Sequence, residues 1–285
     1  MNQSSLGTAL RAARSRLVQA LGLDPSVAGL EAQVLLSHVL NQPRAYLLAH
    51  PEAALSDSNQ AQFETLLTRR ERGEPIAYLT GQREFYGLEF LVTLDVLIPR
   101  PETELLVELA LEHIPQDTPI RILDLGTGSG AIALSIAKQR PQALITAVDR
   151  SPSALTVAKQ NAARLGCANV EFIESDWFAA LDATNPFDLI VANPPYIATG
   201  DPHLVLGDVK SEPPMALVSG IDGLDAIRHI AHSGRGYLRE SGRLLFEHGY
   251  DQGASCREVL QKHGWRYIAS YVDLAGWDRV CGGTL

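Results

Sequence analysis

The sequence predicts an α/β protein: a domain built on a mostly parallel sheet, preceded by a small helical bundle and joined to it by a β-hairpin linker. Three observations lead there. Apolar residues recur at helical spacing through the first ~75 positions, an aromatic and β-branched stretch surrounds Gly87, and from Ile120 short apolar runs alternate with helical ones. That alternation implies crossover helices on both faces of a parallel sheet. The expected boundaries are 1–75 for the bundle, 76–100 for the linker and 101–285 for the α/β domain.

In the bundle, Leu6, Leu10, Leu17 and Leu21 form one apolar stripe, closed by Gly22. Leu30, Val34, Leu35 and Val39 form a second, ended by Asn41 and Pro43. A third helix starts after Ser56, a candidate N-cap, and runs through Phe63, Leu66 and Leu67 to Gly73. Glu84 to Val92 reads as the hairpin. Pro101 suits the first turn of a helix over Glu102–Glu112, whose Glu102 and Glu104 complement its dipole. Strands are expected near 120–125, 143–148, 170–174, 187–192 and 243–247, and helices near 130–139, 152–165, 222–238 and 251–263. The end of the chain, with Tyr267–Val272 and Arg279–Cys281, reads as an antiparallel hairpin closing the sheet.

Composition narrows the function classes. The 285 residues are 46% hydrophobic and 20% charged, as in an ordinary globular protein. A net charge of −9 argues against a nucleic-acid partner, because phosphate binding is driven by basic surfaces. Cys167, Cys256 and Cys281 fit neither a disulfide framework nor a zinc site and read as reduced thiols. The N-terminus has no continuous apolar core of a signal peptide, and no stretch nears the ~20 apolar residues of a membrane span. The expectation is a cytoplasmic protein with no metal and no membrane partner.

Leu123-Asp124-Leu125-Gly126-Thr127-Gly128-Ser129-Gly130 is a strand running into glycines that open a helix. Glycine permits positive φ and close approach to a ligand, and ligands of open parallel sheets sit beyond the strands' carboxyl ends. The domain is therefore Rossmann-like, with Gly126, Thr127, Gly128, Ser129 and Gly130 against a cofactor. Asp149 ends the next strand, 23 positions after Gly126, where an acid accepts from ribose hydroxyls. The dinucleotide fingerprint is G-x-G-x-x-G; this loop is G-x-G-x-G with Asp124 before it. An acid there suits a cationic amino-acid end better than a pyrophosphate. S-adenosylmethionine (SAM) has that end, and an NAD-like dinucleotide is the alternative. At the third strand end, Asp176 can accept from an adenine amine and Trp177 can cover the adenine face, a contact of ~1–3 kcal/mol. The alternative for Trp177 is a core or rim aromatic.

Asn193-Pro194-Pro195-Tyr196 ends the fourth strand, beside the first in this fold class, so Asn193 should face the cofactor. A planar amine, its lone pair delocalised, is a poor nucleophile toward a methyl sulfonium. Two acceptors, the Asn193 side-chain oxygen and the Pro194 carbonyl, can hold its two N–H groups and favour pyramidalisation. Pro194 and Pro195 lock that geometry, and Tyr196 can pack on the substrate plane. Catalysis is then orientation and electrostatic placement. A proline-rich strand exit is the plain alternative. Glu247-His248-Gly249 lacks a nucleophile partner, and a His at a strand exit more often satisfies backbone groups. Arg100 could meet a cofactor carboxylate or tie the linker to the sheet. The 200–214 loop could order over the substrate or be a solvated connection.

Asn193-Pro194-Pro195-Tyr196 resembles the signature of SAM-dependent amino-methyltransferases acting on planar nitrogen, which include DNA adenine and protein glutamine enzymes. Nearly the whole chain resembles the bacterial peptide chain release factor glutamine methyltransferases, the HemK/PrmC family. The similar stretches are Gly73–Gly81, Leu97–Glu104, Leu123–Gly130, Ser175–Phe178, Asn193–Ile197 and Phe246–Gly249. Trp277 departs from many relatives, at a place remote in sequence from the site. The resemblance implies methylation of the side-chain amide of the glutamine in the Gly-Gly-Gln loop of class-1 peptide chain release factors. It implies Gly126, Gly128, Gly130, Asp149 and Trp177 for the cofactor, Asn193 to Tyr196 for the amide, and a release-factor-docking role for the helical domain. A nucleic-acid adenine methyltransferase is the alternative; the acidic chain and the helical N-terminal domain favour protein.

Overall fold

A computed structural model describes residues 4–285. The chain divides into two compact units, Met1–Gly81 with Gly207–Ser211, and Gln82–Leu206 with Glu212–Leu285.

The first unit holds α1 (Leu6–Leu21), α2 (Pro25–Leu40), α3 (Arg44–Ala49), α4 (Asp57–Glu71) and α5 (Ile76–Thr80). Side chains of Ser5, Asp24 and Ser56 cap the starts of α1, α2 and α4 by accepting from the backbone amides of Thr8, Ser26 and Asn59. Gly22 and Asn41 close α1 and α2 in the left-handed conformation. Leu17, Leu35, Phe63 and Leu67 meet in its core. The short α3 and α5 carry too few turns for a periodic stripe, and α5 occupies part of the range expected for the linker. Arg70 is nearly buried on α4: Nε and Nη2 donate to Glu31 at 2.8 and 2.9 Å, and Nη1 donates to Asp208 at 3.0 Å. Pairing at this density is what a buried guanidinium requires.

The second unit opens with the hairpin β1 (Gln82–Phe85) and β2 (Leu88–Leu91). Its two-residue turn, Tyr86-Gly87, has positive φ at both positions, as the right-handed twist of a hairpin favours. After a 3₁₀ turn, Pro101–Thr103, come α6 (Glu104–Glu112), β3 (Arg121–Leu125), α7 (Ala131–Gln139), β4 (Leu144–Asp149), α8 (Pro152–Leu165) and β5 (Val170–Glu174). Then follow β6 (Phe187–Ala192), α9 (Asp225–Ser233), β7 (Leu238–Glu247), α10 (Gly253–Lys262), β8 (Arg266–Val272) and β9 (Asp278–Thr284). The sheet runs β5-β4-β3-β6-β7-β9-β8. Its first five strands are parallel, and β9 is antiparallel to both neighbours. The closing hairpin is thus inserted, its second strand lying between β7 and β8.

Strand residues alternate between two cores. Ile122, Leu189, Val191 and Leu245 face α6 and α7 residues such as Leu106 and Leu134. Leu123, Leu125, Ile190 and Phe246 face the other side with Ile227 and Leu260 of α9 and α10. The order reverses between β3 and β6, so a crevice opens beyond their carboxyl ends. Among the described residues, no helix is long and apolar enough to cross a membrane.

One buried amide holds the hairpin to this frame. Asn161 of α8 accepts from the Leu91 amide at 2.7 Å and donates to the Leu91 and Ser129 carbonyls at 3.0 and 2.9 Å. Replacing it by Ala strands three backbone groups, so Asn161→Ala should lower unfolding stability by about 2–4 kcal/mol in urea titration. A loss below about 0.5 kcal/mol would show that the clasp is dispensable.

Candidate active site

The loop after β3 is shaped by three left-handed glycines and one carbonyl. Gly126, Gly128 and Gly130 have φ of 71°, 54° and 83°. The backbone amides of Gly126 and Thr127 both donate to the Val148 carbonyl, each at 2.9 Å, which folds the loop back over β4. At Gly130 a Cβ would come 2.8 Å from Leu134 Cδ1, so this glycine serves helix packing.

Asp124 was expected to face a cationic ligand end. It is instead wholly buried beneath the loop, off the cavity wall, accepting from Thr127 Oγ1 at 2.7 Å. Burial pushes its carboxyl up to about 7, against the opposing pull of Thr127 and the Ala133 amide, while Asp149 adds to the rise. Asp149 does reach the wall. Its Oδ2 accepts from Gly128 N and its Oδ1 from Ser151 N, both at 2.9 Å. One lone pair on each oxygen is left for a ligand hydroxyl.

The crevice is a cavity of about 640 Å³, inside the ~300–1,000 Å³ range of small-molecule sites. Of the residues singled out from the sequence, Gly126, Thr127, Gly128, Ser129, Asp149, Asp176, Trp177, Asn193 and Pro195 line it; Gly130, Pro194 and Tyr196 do not. Besides His229, its ionisable lining is Asp95, Asp149, Asp176 and Asp225 against Arg100 and Arg150. The wall therefore favours a ligand with a cationic end and disfavours a pyrophosphate.

Trp177 takes a left-handed backbone, φ 52°, an unfavourable state for a bulky residue. Ser175 braces it, its hydroxyl donating to the Trp177 carbonyl at 2.8 Å and accepting from Ala180 N at 3.0 Å. The indole comes within 3.9 Å of where a Cβ on Gly126 would stand, so the ring overhangs the glycine loop. Its other neighbour is His229 of α9, ring centroids 6.3 Å apart, a lining residue that no sequence motif marked.

At the end of β6, Asn193 Nδ2 donates to Thr103 Oγ1 at 3.1 Å. Tyr196 was expected on the substrate plane. Its ring instead packs into the core shared with α9 and α10, and its hydroxyl donates to Glu247 Oε1 at 3.3 Å. The exit is pinned further on. Gln252 Nε2 donates to the Tyr196 carbonyl at 2.9 Å, and Ile197 pairs with Leu217 and Ser219 at 2.8 and 2.9 Å. A Cβ at Gly223 would lie 2.2 Å from that same Tyr196 carbonyl, so only glycine fits the facing strand of loop.

His248 is buried off the wall with Nδ1 against the Gly249 carbonyl at 2.8 Å, and desolvation lowers its pKa. That places it among backbone-satisfying histidines. Arg100 lines the cavity and pairs with the buried Glu212. Pro213 and Pro214 of the 200–214 loop also line the wall. Trp277 sits on the β8–β9 turn, edge-on to Tyr250 at 5.6 Å.

The buried Asp124 generates a pH prediction. Its folded pKa is raised, so its contribution is fully present below the unfolded value near 3.8 and is lost as pH rises through about 7. Relative to Asp124→Asn, the wild type should lose about 4 kcal/mol between about pH 4 and about pH 8. Denaturation followed by tryptophan fluorescence reads this unit alone, since Trp177, Trp265 and Trp277 all belong to it. A pH-independent difference would show that Asp124 ionises in the folded protein as readily as in the unfolded chain.

Comparison with known proteins gives the same domain order. A family profile described as "PrmC N-terminal domain" matches residues 8–81, and one described as "Methyltransferase domain" matches residues 116–267. A release factor glutamine methyltransferase of Vibrio cholerae serotype O1 is 47% identical over 279 residues, covering 98% of this chain and 96% of that protein. Another, of Bordetella pertussis, is 49% identical over 269 residues, covering 94% of this chain and 99% of that protein. Among solved structures, a T. thermophilus 16S rRNA methyltransferase in complex with AdoMet and guanosine shares the fold, with a TM-score of 0.51 and 20% identity. That match covers 71% of this chain and 49% of the solved one. The domain order and the near-full-length identity have one reading: the chain belongs to the release factor glutamine methyltransferase family.

Proposed function

We propose that the chain binds SAM in the cavity beyond β3 and β6 and directs its methyl group to a glutamine side-chain nitrogen. The acceptor is the glutamine of the Gly-Gly-Gln motif of class-1 peptide chain release factors. The reaction runs in the cytoplasm, where three unpaired cysteines stay reduced. The observation that carries this reading is that Asn193 and Pro195 stand on the wall that also holds Gly126, Gly128, Asp149 and Trp177.

The lining suits SAM on three counts. The Asp149 carboxylate keeps lone pairs for ribose hydroxyls, the Trp177 indole offers a flat face for adenine, and the wall's acidic balance favours a sulfonium and an ammonium. When bound, SAM supplies an electrophilic methyl group. The chain's own residues then have a positioning task. Asn193 Oδ1 and the Pro194 carbonyl accept the two amide N–H groups, and the rings of Pro194 and Pro195 hold both acceptors in one geometry. As the nitrogen becomes tetrahedral it carries a very acidic proton, which water can remove, so no strong base is required. Tyr196 braces this turn from behind through Glu247. With a net charge of −9, the chain gives a nucleic-acid reading no support.

Protein, labelled SAM and a release factor should place one methyl group on the Gly-Gly-Gln glutamine, seen as a single modified residue by mass spectrometry. Asn193→Ala should lower kcat by about 100-fold or more while SAM affinity stays within a few-fold. Full activity in that variant would sink the two-acceptor mechanism.

The first unit is the release-factor dock in this reading. Its exposed apolar side chains Val27 and Leu30 of α2, and Tyr46 and Leu48 of α3, give a surface for a protein partner. Tyr46→Ala with Leu48→Ala should raise KM for the release factor by about 10-fold, leaving SAM affinity unchanged. Equal losses in both would refute the division of labour.

A further inference from the structure

Behind Asn193 lie the polar side chains of Thr103, Glu247 and Tyr196, and the functional reading leaves Thr103 without a task. Thr103 ends the 3₁₀ turn before α6 and is 4% exposed, yet it borders the cavity. Its Oγ1 accepts from Asn193 Nδ2 at 3.1 Å. On its far side stands Glu247, the last residue of β7, 1% exposed, and the Thr103 hydroxyl stabilises the ionised form of that carboxylate. Glu247 Oε1 accepts from the Tyr196 hydroxyl at 3.3 Å, while the buried Oε2 has no hydrogen-bond partner.

The two ends of a carboxamide have nearly the same shape, and only hydrogen bonding distinguishes its oxygen from its nitrogen. A carboxylate can only accept, and a hydroxyl has one proton to donate. With Glu247 ionised, the Thr103 proton is drawn toward Glu247. What Thr103 then offers Asn193 is a lone pair, and only the NH2 end of Asn193 can meet it. Oδ1 is left as the outward acceptor. In the flipped orientation Asn193 would present an NH2 group to the NH2 group of a glutamine, donor against donor.

We propose that Thr103 is a positioning residue, polarised by Glu247, that fixes the direction of the Asn193 carboxamide so that its oxygen faces the substrate amide. The proposal rests on the reading of Asn193 as an amide acceptor. Glu247 is thereby the origin of the direction: an acceptor-only group whose polarity passes through one hydroxyl to the reacting amide. Arg279 favours its charged form; burial and Glu102 oppose it, raising its pKa to about 7. Tyr196 is its hydrogen-bonding partner and Thr103 favours its ionised form, and assays near pH 8.5 keep it a carboxylate.

The test compares Thr103→Val, Thr103→Ser and Glu247→Gln in the full chain, with a release factor and SAM as substrates. Thr103→Val keeps the shape and removes the hydroxyl; Thr103→Ser restores it. Glu247→Gln keeps the shape and supplies a donor, which lets Thr103 turn its proton toward Asn193. The expected result is a fall in kcat of about 10-fold or more for Thr103→Val and Glu247→Gln. SAM affinity and KM should stay within about 3-fold, and Thr103→Ser should return kcat to within about 3-fold of wild type. A second readout needs no substrate. The Asn193 side-chain NH2 resonance, assigned by its loss in Asn193→Ala, should be shifted and protected from solvent exchange in wild type and Thr103→Ser. It should become unprotected in Thr103→Val.

An unchanged kcat in Thr103→Val, or a Thr103→Ser variant as impaired as Thr103→Val, overturns the proposal. So does an Asn193 resonance indifferent to residue 103. If Thr103→Val fails to fold, Thr103→Ser and Glu247→Gln decide by the same criteria. Wild-type protein that methylates no glutamine would refute the functional reading instead, and the resonance still decides the orientation of Asn193.

Discussion

The Val148 carbonyl receives two amides at once, from Gly126 and Thr127. That shared acceptor forces the chain leaving β3 to double back across the end of β4 rather than run straight into α7. The glycine-loop side of the crevice follows from this reversal. It brings Gly128 N within reach of Asp149, sets the glycine backbone under the Trp177 ring, and starts α7 where Leu134 packs against Gly130. A Cβ at any of the three glycines would have to take positive φ, so the tight reversal and the glycines are one constraint expressed twice.

The parallel part of the sheet was legible because each strand is a short, apolar run bounded by turn residues. Observed limits for the first four of these strands agree with the expected ones to within about a residue, inside the usual fraying of element ends. β7 was read at half its length. Its first half, Leu238 to Gly242, is polar and irregular, with Ser241 at φ 69° and a register shift against β6, so no alternating pattern announced it. The insertion of β9 between β7 and β8 was not legible, because two adjacent β-rich segments look the same whether or not a third strand separates them from the sheet. α3 and α5 were missed for lack of length.

Of the expected site residues, those placed by backbone conformation or local sequence do reach the cavity wall: Gly126 to Ser129, Asp149, the Asp176-Trp177 pair and Asn193. Residues that matter through a partner far along the chain were not. Thr103 and Asn193 are 90 positions apart, and Tyr196 and Glu247 are 51 apart. Tyr196 does not stand on the wall as expected: an aromatic beside a motif proposed to be catalytic looks like a stacking platform, whereas its hydroxyl meets a buried carboxylate. Asp124 was misread for a related reason. An acid before a glycine loop looks ligand-facing until the turn folds over it and leaves it to Thr127.

The segment Gly207–Ser211 bears on how the protein is made. It clusters with the first unit although it lies more than a hundred residues beyond that unit's last helix. Arg70 meets Glu31 from nearby in the chain, but its second carboxylate, Asp208, is 138 positions away. During synthesis the helices that emerge first can bury Leu17, Leu35, Phe63 and Leu67 at once. The Arg70 guanidinium then waits, singly paired, until four further strands of the α/β domain have left the ribosome. The unit made first is finished late.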